Sequence, residues 1–77
     1  MKIIKVNKLR LIMFAKGLSQ RQLGKMADIS AGTVNAVICK IENGEISDQA
    51  TQRNIKLIAF ALELKPGQII GDAVIVL

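Results

Sequence analysis

The segment from Gln20 to Cys39, Gln-Arg-Gln-Leu-Gly-Lys-Met-Ala-Asp-Ile-Ser-Ala-Gly-Thr-Val-Asn-Ala-Val-Ile-Cys, constrains the fold more than any other part of the chain. Two short helices packed at a steep angle need apolar side chains at Leu23, Ala27, Ile29, Val34 and Val37. They also need a small residue at Gly24, where the two backbones approach most closely. The segment meets every one of these requirements. The break between the helices falls at Asp28, a residue type that tolerates positive φ, and Ser30 is suited to accept from the free amides of the second helix's first turn. The spacing therefore predicts a helix over residues 20–27, a tight turn, and a second helix from Ala31 to about Glu42.

Signals on either side extend the pattern. Asn7 caps a first helix running to Lys16, with Val6, Leu9, Ile12 and Met13 on its buried side, and Gly17 ends it in a left-handed conformation. Ser19 caps the second helix, and Asn43-Gly44 stops the third. A fourth helix begins near Ser47 or Asp48 and carries Ile55, Ile58, Ala59 and Leu62 inward. Pro66 suits the first turn of a short fifth helix, whose Ile69 and Ile70 close the core. The expected architecture is all-α: a compact five-helix domain with a short C-terminal β-strand.

The segments Gly17-Leu-Ser-Gln-Arg-Gln-Leu23, Ile29-Ser-Ala-Gly-Thr-Val34, Ile41-Glu-Asn-Gly44, Ile58-Ala-Phe-Ala-Leu62 and Leu64-Lys-Pro-Gly-Gln-Ile-Ile70 occur in one order. In them the chain resembles the phage repressor and Cro family of helix-turn-helix transcription regulators, the Cro/C1 type, over roughly residues 7 to 70. The resemblance implies a repressor-like five-helix module that binds double-stranded operator DNA as a homodimer, with helix 3 in the major groove. It also implies that the Gln20 side-chain amide holds a phosphate, that Asn43 and Gly44 bring backbone amides to a second one, and that base edges are read from Ala31, Gly32 and Ala36.

Two features depart from the family pattern. Val34 and Ile41 are separated by four more residues than is usual, just over one helical turn, so Val34, Val37, Ile38 and Ile41 still line one side of a longer helix. The opposite side, at about 100° per residue, holds Gly32, Ala36, Cys39 and Asn43, where family members carry long polar readers. A bidentate base contact discriminates by about 1–3 kcal/mol, against roughly 4–10 kcal/mol between specific and non-specific binding. Small residues at Ala31, Gly32 and Ala36 therefore imply DNA binding of modest affinity or selectivity unless a partner adds to it. Thr33 and Asn35 remain as base-edge candidates, although Thr33 can bond back to its own helix. Arg21, Lys25 and Lys40 are candidate phosphate contacts.

Charge agrees with this placement. Residues 1–40 hold eight Lys or Arg and one acid (+7), whereas residues 41–77 hold three bases and five acids (−2). Cations near phosphates contribute the counterion-release part of DNA affinity. The chain has no histidine and a single cysteine, Cys39, which excludes His-containing triads, paired-thiol chemistry and the usual zinc sites. Its six carboxylates are scattered, so no enzyme activity, metal or cofactor is expected. No apolar run approaches the ~20 residues that span a bilayer, so no membrane association is expected. Lys8 and Arg10 interrupt the apolar stretch near the start, against a signal peptide and in favour of a cytoplasmic protein.

The segment Gly71-Asp-Ala-Val-Ile-Val-Leu77 differs in character from residues 1–70. Five consecutive apolar residues, three of them β-branched, predict a strand, and a strand leaves backbone groups open unless something pairs with it. Three partners are open: the same strand of a second subunit across a dimer two-fold, which is the favoured expectation, the Lys2-Ile-Ile-Lys-Val6 segment, or another protein. Val74, Ile75, Val76 and Leu77 are thus the candidate partner-binding residues. Two functions compete: a regulator of phage or mobile-element type that binds operator DNA, and an antirepressor or modulator that keeps the fold but acts by binding another regulator, with weak DNA binding.

Overall fold

The alternation Ile3-Ile-Lys-Val6 forms a strand, and it is the first element of the molecule. A computed structural model describes residues 1–77, with strand β1 (Ile3–Asn7) followed by helices α1 (Lys8–Lys16), α2 (Gln20–Ala27), α3 (Ala31–Asn43) and α4 (Gln49–Ala61), a single 3₁₀ turn (Pro66–Gln68), and strand β2 (Asp72–Val76). The expected all-α, five-helix architecture is corrected: the molecule has four helices and a two-stranded antiparallel sheet, a mixed α/β structure that is 60% helical. The expected fifth helix is only the 3₁₀ turn. Gly67 follows Pro66 directly and weakens helix propagation, and Ile69 already caps the turn, its amide bonding to the Pro66 carbonyl.

The final segment is a strand, as its composition predicts, but it pairs with β1 of its own chain. The register sets Ile3 against Val76, Ile4 against Ile75, Lys5 against Val74 and Val6 against Ala73. This is the second of the three expected partners; the favoured pairing, with the same strand of a second subunit, would use the other edge of β2, which stays open. One face of the two-stranded sheet, carrying Ile4, Val6, Ala73 and Ile75, is half-buried or better and packs toward α1 and α3. The other exposes Ile3, Lys5, Val74 and Val76.

Helix ends follow local chemistry. Asn7 caps α1, Ser19 caps α2, Ser30 caps α3 and Asp48 caps α4, each side chain accepting from a first-turn amide. The core is aliphatic: Leu9, Leu23, Val34, Ile55, Ile58, Ala59 and Ile69 are wholly buried, with Val37, Ile38, Ile41 and Leu62 nearly so. Both aromatic residues, Phe14 and Phe60, stand outside it and are more than four-fifths exposed. Helix α2 packs on α3 and α4, α3 on α4, and β1 against α1 and α3.

Candidate nucleic-acid interface

The α2–α3 pair is built from caps and one close approach. Ser19 and Gln22 form a reciprocal capping box: the Gln22 amide donates to Ser19 Oγ (3.1 Å) and the Ser19 amide donates to Gln22 Oε1 (2.8 Å). At the far end of α2, Asp28 adopts φ 59°, ψ 42°, and the Ile29 amide closes the turn on the Gly24 carbonyl at 2.8 Å. Gly24 is buried here, and a Cβ added to it would lie 2.6 Å from the Ile29 carbonyl oxygen. Ser30 Oγ then accepts from the Thr33 amide at 3.0 Å and starts α3. The packing of α2 against α3 thus rests on backbone close to backbone.

The two helices are joined on their polar side as well. Gln20, half-buried in the first turn of α2, donates through Nε2 to Oδ1 of Asn35 on α3 at 3.2 Å. The structure thus brings together one candidate phosphate contact and one candidate base reader. Gly32, Asn35 and Ala36 are exposed on α3, while Ala31 and Thr33 are half-buried. The Thr33 hydroxyl lies 2.8 Å from Ser30 Oγ, within its own cap. Arg21 and Lys25 are exposed on α2 and neither takes part in a salt bridge.

The extra turn of α3 is held from two directions. Arg10 Nε of α1 donates to Glu42 Oε1 at 2.7 Å, with both side chains partly exposed. Lys40 Nζ donates to Thr51 Oγ1 at 3.1 Å and lies 3.7 Å from Asp48 Oδ1, which ties α3 to the start of α4. The Thr51 hydroxyl, and after it the Thr51 amide, hold the Asp48 carboxyl below its ordinary pKa, with Lys40 adding a smaller favourable charge. Asn43 is exposed as the last residue of α3. The amide of Gly44 (φ 73°) closes the helix on the Ile41 carbonyl at 3.2 Å.

One positioning residue is legible only in part. Asn7 is readable as a cap from its place before an apolar-periodic run, and its Oδ1 does accept from the Arg10 amide at 3.1 Å. Its Nδ2 also donates to the Ile38 carbonyl at 3.3 Å, a buried bond across 31 residues that fixes α3 against the β1–α1 junction. No local signal announces that second bond. A shallow open cleft of about 310 Å³ lies between α1 and the start of α2, with Arg10, Phe14, Leu18 and Gln20 on its walls. No three His, Cys, Asp or Glu side chains gather where they could hold a metal ion, and no helix is long and apolar enough to cross a membrane. Comparison of the chain with protein-family models, with curated proteins and with solved structures finds no match, so the likeness to Cro-type regulators rests on the residues quoted for it.

Proposed function

We propose that the protein is a DNA-binding transcription regulator of phage or mobile-element type, acting in the cytoplasm by laying α3 in the major groove of operator DNA. The observation that carries this reading is the close approach of Gly24 to the Ile29–Ser30 backbone, which crosses α3 over α2 and leaves Gly32, Asn35 and Ala36 exposed along one side of α3. Such a crossing is what allows one helix to enter a groove while its neighbour meets the phosphate backbone. The excess of cations in residues 1–40 supports the same reading.

The test is a salt titration of binding to duplex DNA. Affinity should fall steeply as ionic strength rises, and Arg21→Ala or Lys25→Ala should weaken binding to all sequences and shallow the logarithmic salt slope by about one unit each. Lys40→Ala should change the slope less, because Lys40 already bonds Thr51 and faces Asp48. Equal losses at Lys25 and Lys40 would refute that ranking. Absence of DNA binding even at low salt would refute the whole reading. It would favour instead a module that binds another regulator, a reading supported by Thr33 and Asn35 bonding within the protein and by the smooth surface at Ala31, Gly32 and Ala36.

A further inference from the structure

The fold has one cleft, and its walls combine apolar surface with a single charge. It opens between α1 and the start of α2 with a volume of about 310 Å³, at the small end of the range that small-molecule sites occupy. Buried Met13 and Ile38 form its inner side, Leu18 is half-buried beside them, and Phe14 stands at the opening, 82% exposed. An aromatic ring left this open to water is a surface that an apolar ligand can cover.

The polar side of the cleft offers donors. Arg10 is the only charged residue on its walls. Glu42 engages Arg10 through Nε alone, at 2.7 Å, so this bond orients the guanidinium while neither Nη group makes a hydrogen bond. Gln20 gives one hydrogen of Nε2 to Asn35 and keeps the other. A planar guanidinium with two unused nitrogens matches a carboxylate, which accepts two parallel bonds. An uncharged apolar molecule would leave these donors unanswered, and a cation would meet Arg10 as a like charge.

We infer that the cleft is a binding site for a small aromatic carboxylate, its ring on Phe14 and Leu18 and its carboxylate between Arg10 and Gln20, and that filling it opposes DNA binding. The second part rests on the proposed function, because Gln20 is shared. A Gln20 amide engaged by a bound carboxylate is withdrawn from the phosphate expected at the start of α2, and the bound anion repels that phosphate. The Gln20 bond to Asn35 carries the effect one step further, to the exposed side of α3. The ligand is then an effector, and the coupling is reciprocal: DNA lowers affinity for the carboxylate by the same factor.

The probe is naphthoate, with the corresponding naphthyl alcohol as its uncharged counterpart, added to the full chain without DNA and followed by amide chemical shifts. Naphthoate should bind with a dissociation constant of roughly 1 mM, ordinary for a ligand of its size, and shift residues around Phe14, Leu18 and Gln20. Arg10→Gln should weaken naphthoate about tenfold and leave the alcohol unchanged. Phe14→Ala should weaken both and keep the helical circular dichroism, since that ring lies outside the core. With duplex DNA present, naphthoate at ten times its dissociation constant should reduce DNA affinity about tenfold, and acetate at the same ionic strength should not. Shifts that do not saturate, shifts centred elsewhere, or undiminished naphthoate binding in Arg10→Gln would overturn the site. Binding at the cleft with DNA affinity unchanged would overturn the competition. A chain that takes up naphthoate in this way but binds no duplex would keep the site and refute the regulator reading, and the competition with it.

Discussion

Gly24 carries a requirement that no other glycine in the chain has. A Cβ there would meet the Ile29 carbonyl oxygen at 2.6 Å, the Ser30 carbonyl carbon at 3.2 Å and the Ala31 amide nitrogen at 3.3 Å, all backbone atoms of the turn and of the α3 start. None of them can swing aside as a flexible side chain would. Gly24→Ala should therefore destabilise the fold by about 1–3 kcal/mol through overpacking, despite alanine's higher helix propensity. Gly32 is the matched control: it lies in α3 with nothing nearer than Ser30 Oγ at 3.9 Å, so Gly32→Ala should stabilise by roughly 0.5–1 kcal/mol. At about 4–8 °C per kcal/mol for a domain of this size, the two alanines should move the melting temperature in opposite directions. A Gly24→Ala protein that melts no lower than the parent would remove the steric basis of the crossing.

At the scale of elements, the α3–α4 connection is the part whose strength depends on pH. Folding lowers the Asp48 pKa, chiefly through the Thr51 hydroxyl, so the folded state favours the carboxylate more than the unfolded chain does. The stabilisation is present above the unfolded pKa of about 4 and is lost as pH falls through the lower folded value. In the Asp48→Asn variant the side-chain amide would still offer an oxygen to the Thr51 amide but could not titrate. The stability gap between the parent and this variant in urea should therefore be open at neutral pH and close by about pH 2. A gap that does not change with pH would place the contribution in the hydrogen bonds alone. Elements differ in how far sequence reveals them, for the same kind of reason. The caps at Ser19, Asp28, Ser30 and Gly44 act within three or four residues of themselves, so α2, its turn and α3 are legible from spacing. The Arg10–Glu42 and Lys40–Thr51 bonds and the Asn7–Ile38 bond join residues that only the tertiary fold brings together. The expectation of a fifth helix fails because Pro66 marks a possible start, whereas continuation depends on residues such as Gly67 that oppose it. For the candidate site, residue positions along α2 and α3 are readable, but the mutual bond of Gln20 and Asn35 is not, since it spans the turn.

Across the whole molecule, the two-stranded sheet unites residues 3–7 with residues 72–76. Strand β2 lies on β1, and β1 runs straight into Asn7, whose side chain caps α1 and holds the Ile38 carbonyl of α3. Support for α3 therefore extends to the sheet, through Asn7 and the packing of β1 on α3. A two-stranded sheet does not survive the loss of one strand, so removing residues 72–77 should release β1 and uncover Ile4 and Val6 as well as delete Ile75. Fully burying a side chain such as isoleucine contributes about 1.5–3 kcal/mol, and the burial here is partial, so the truncated chain should lose roughly 2 kcal/mol of unfolding free energy. Much of the helical circular dichroism should remain, because the aliphatic core lies among α1 to α4 and Ile69. Amide exchange adds a spatial check: protection should fall first at residues 4 and 6, then in the first turn of α1, while α2 and the start of α3 keep theirs. An unchanged urea midpoint after truncation would show that β2 adds nothing to the fold of the single chain, leaving its role to contacts with other molecules.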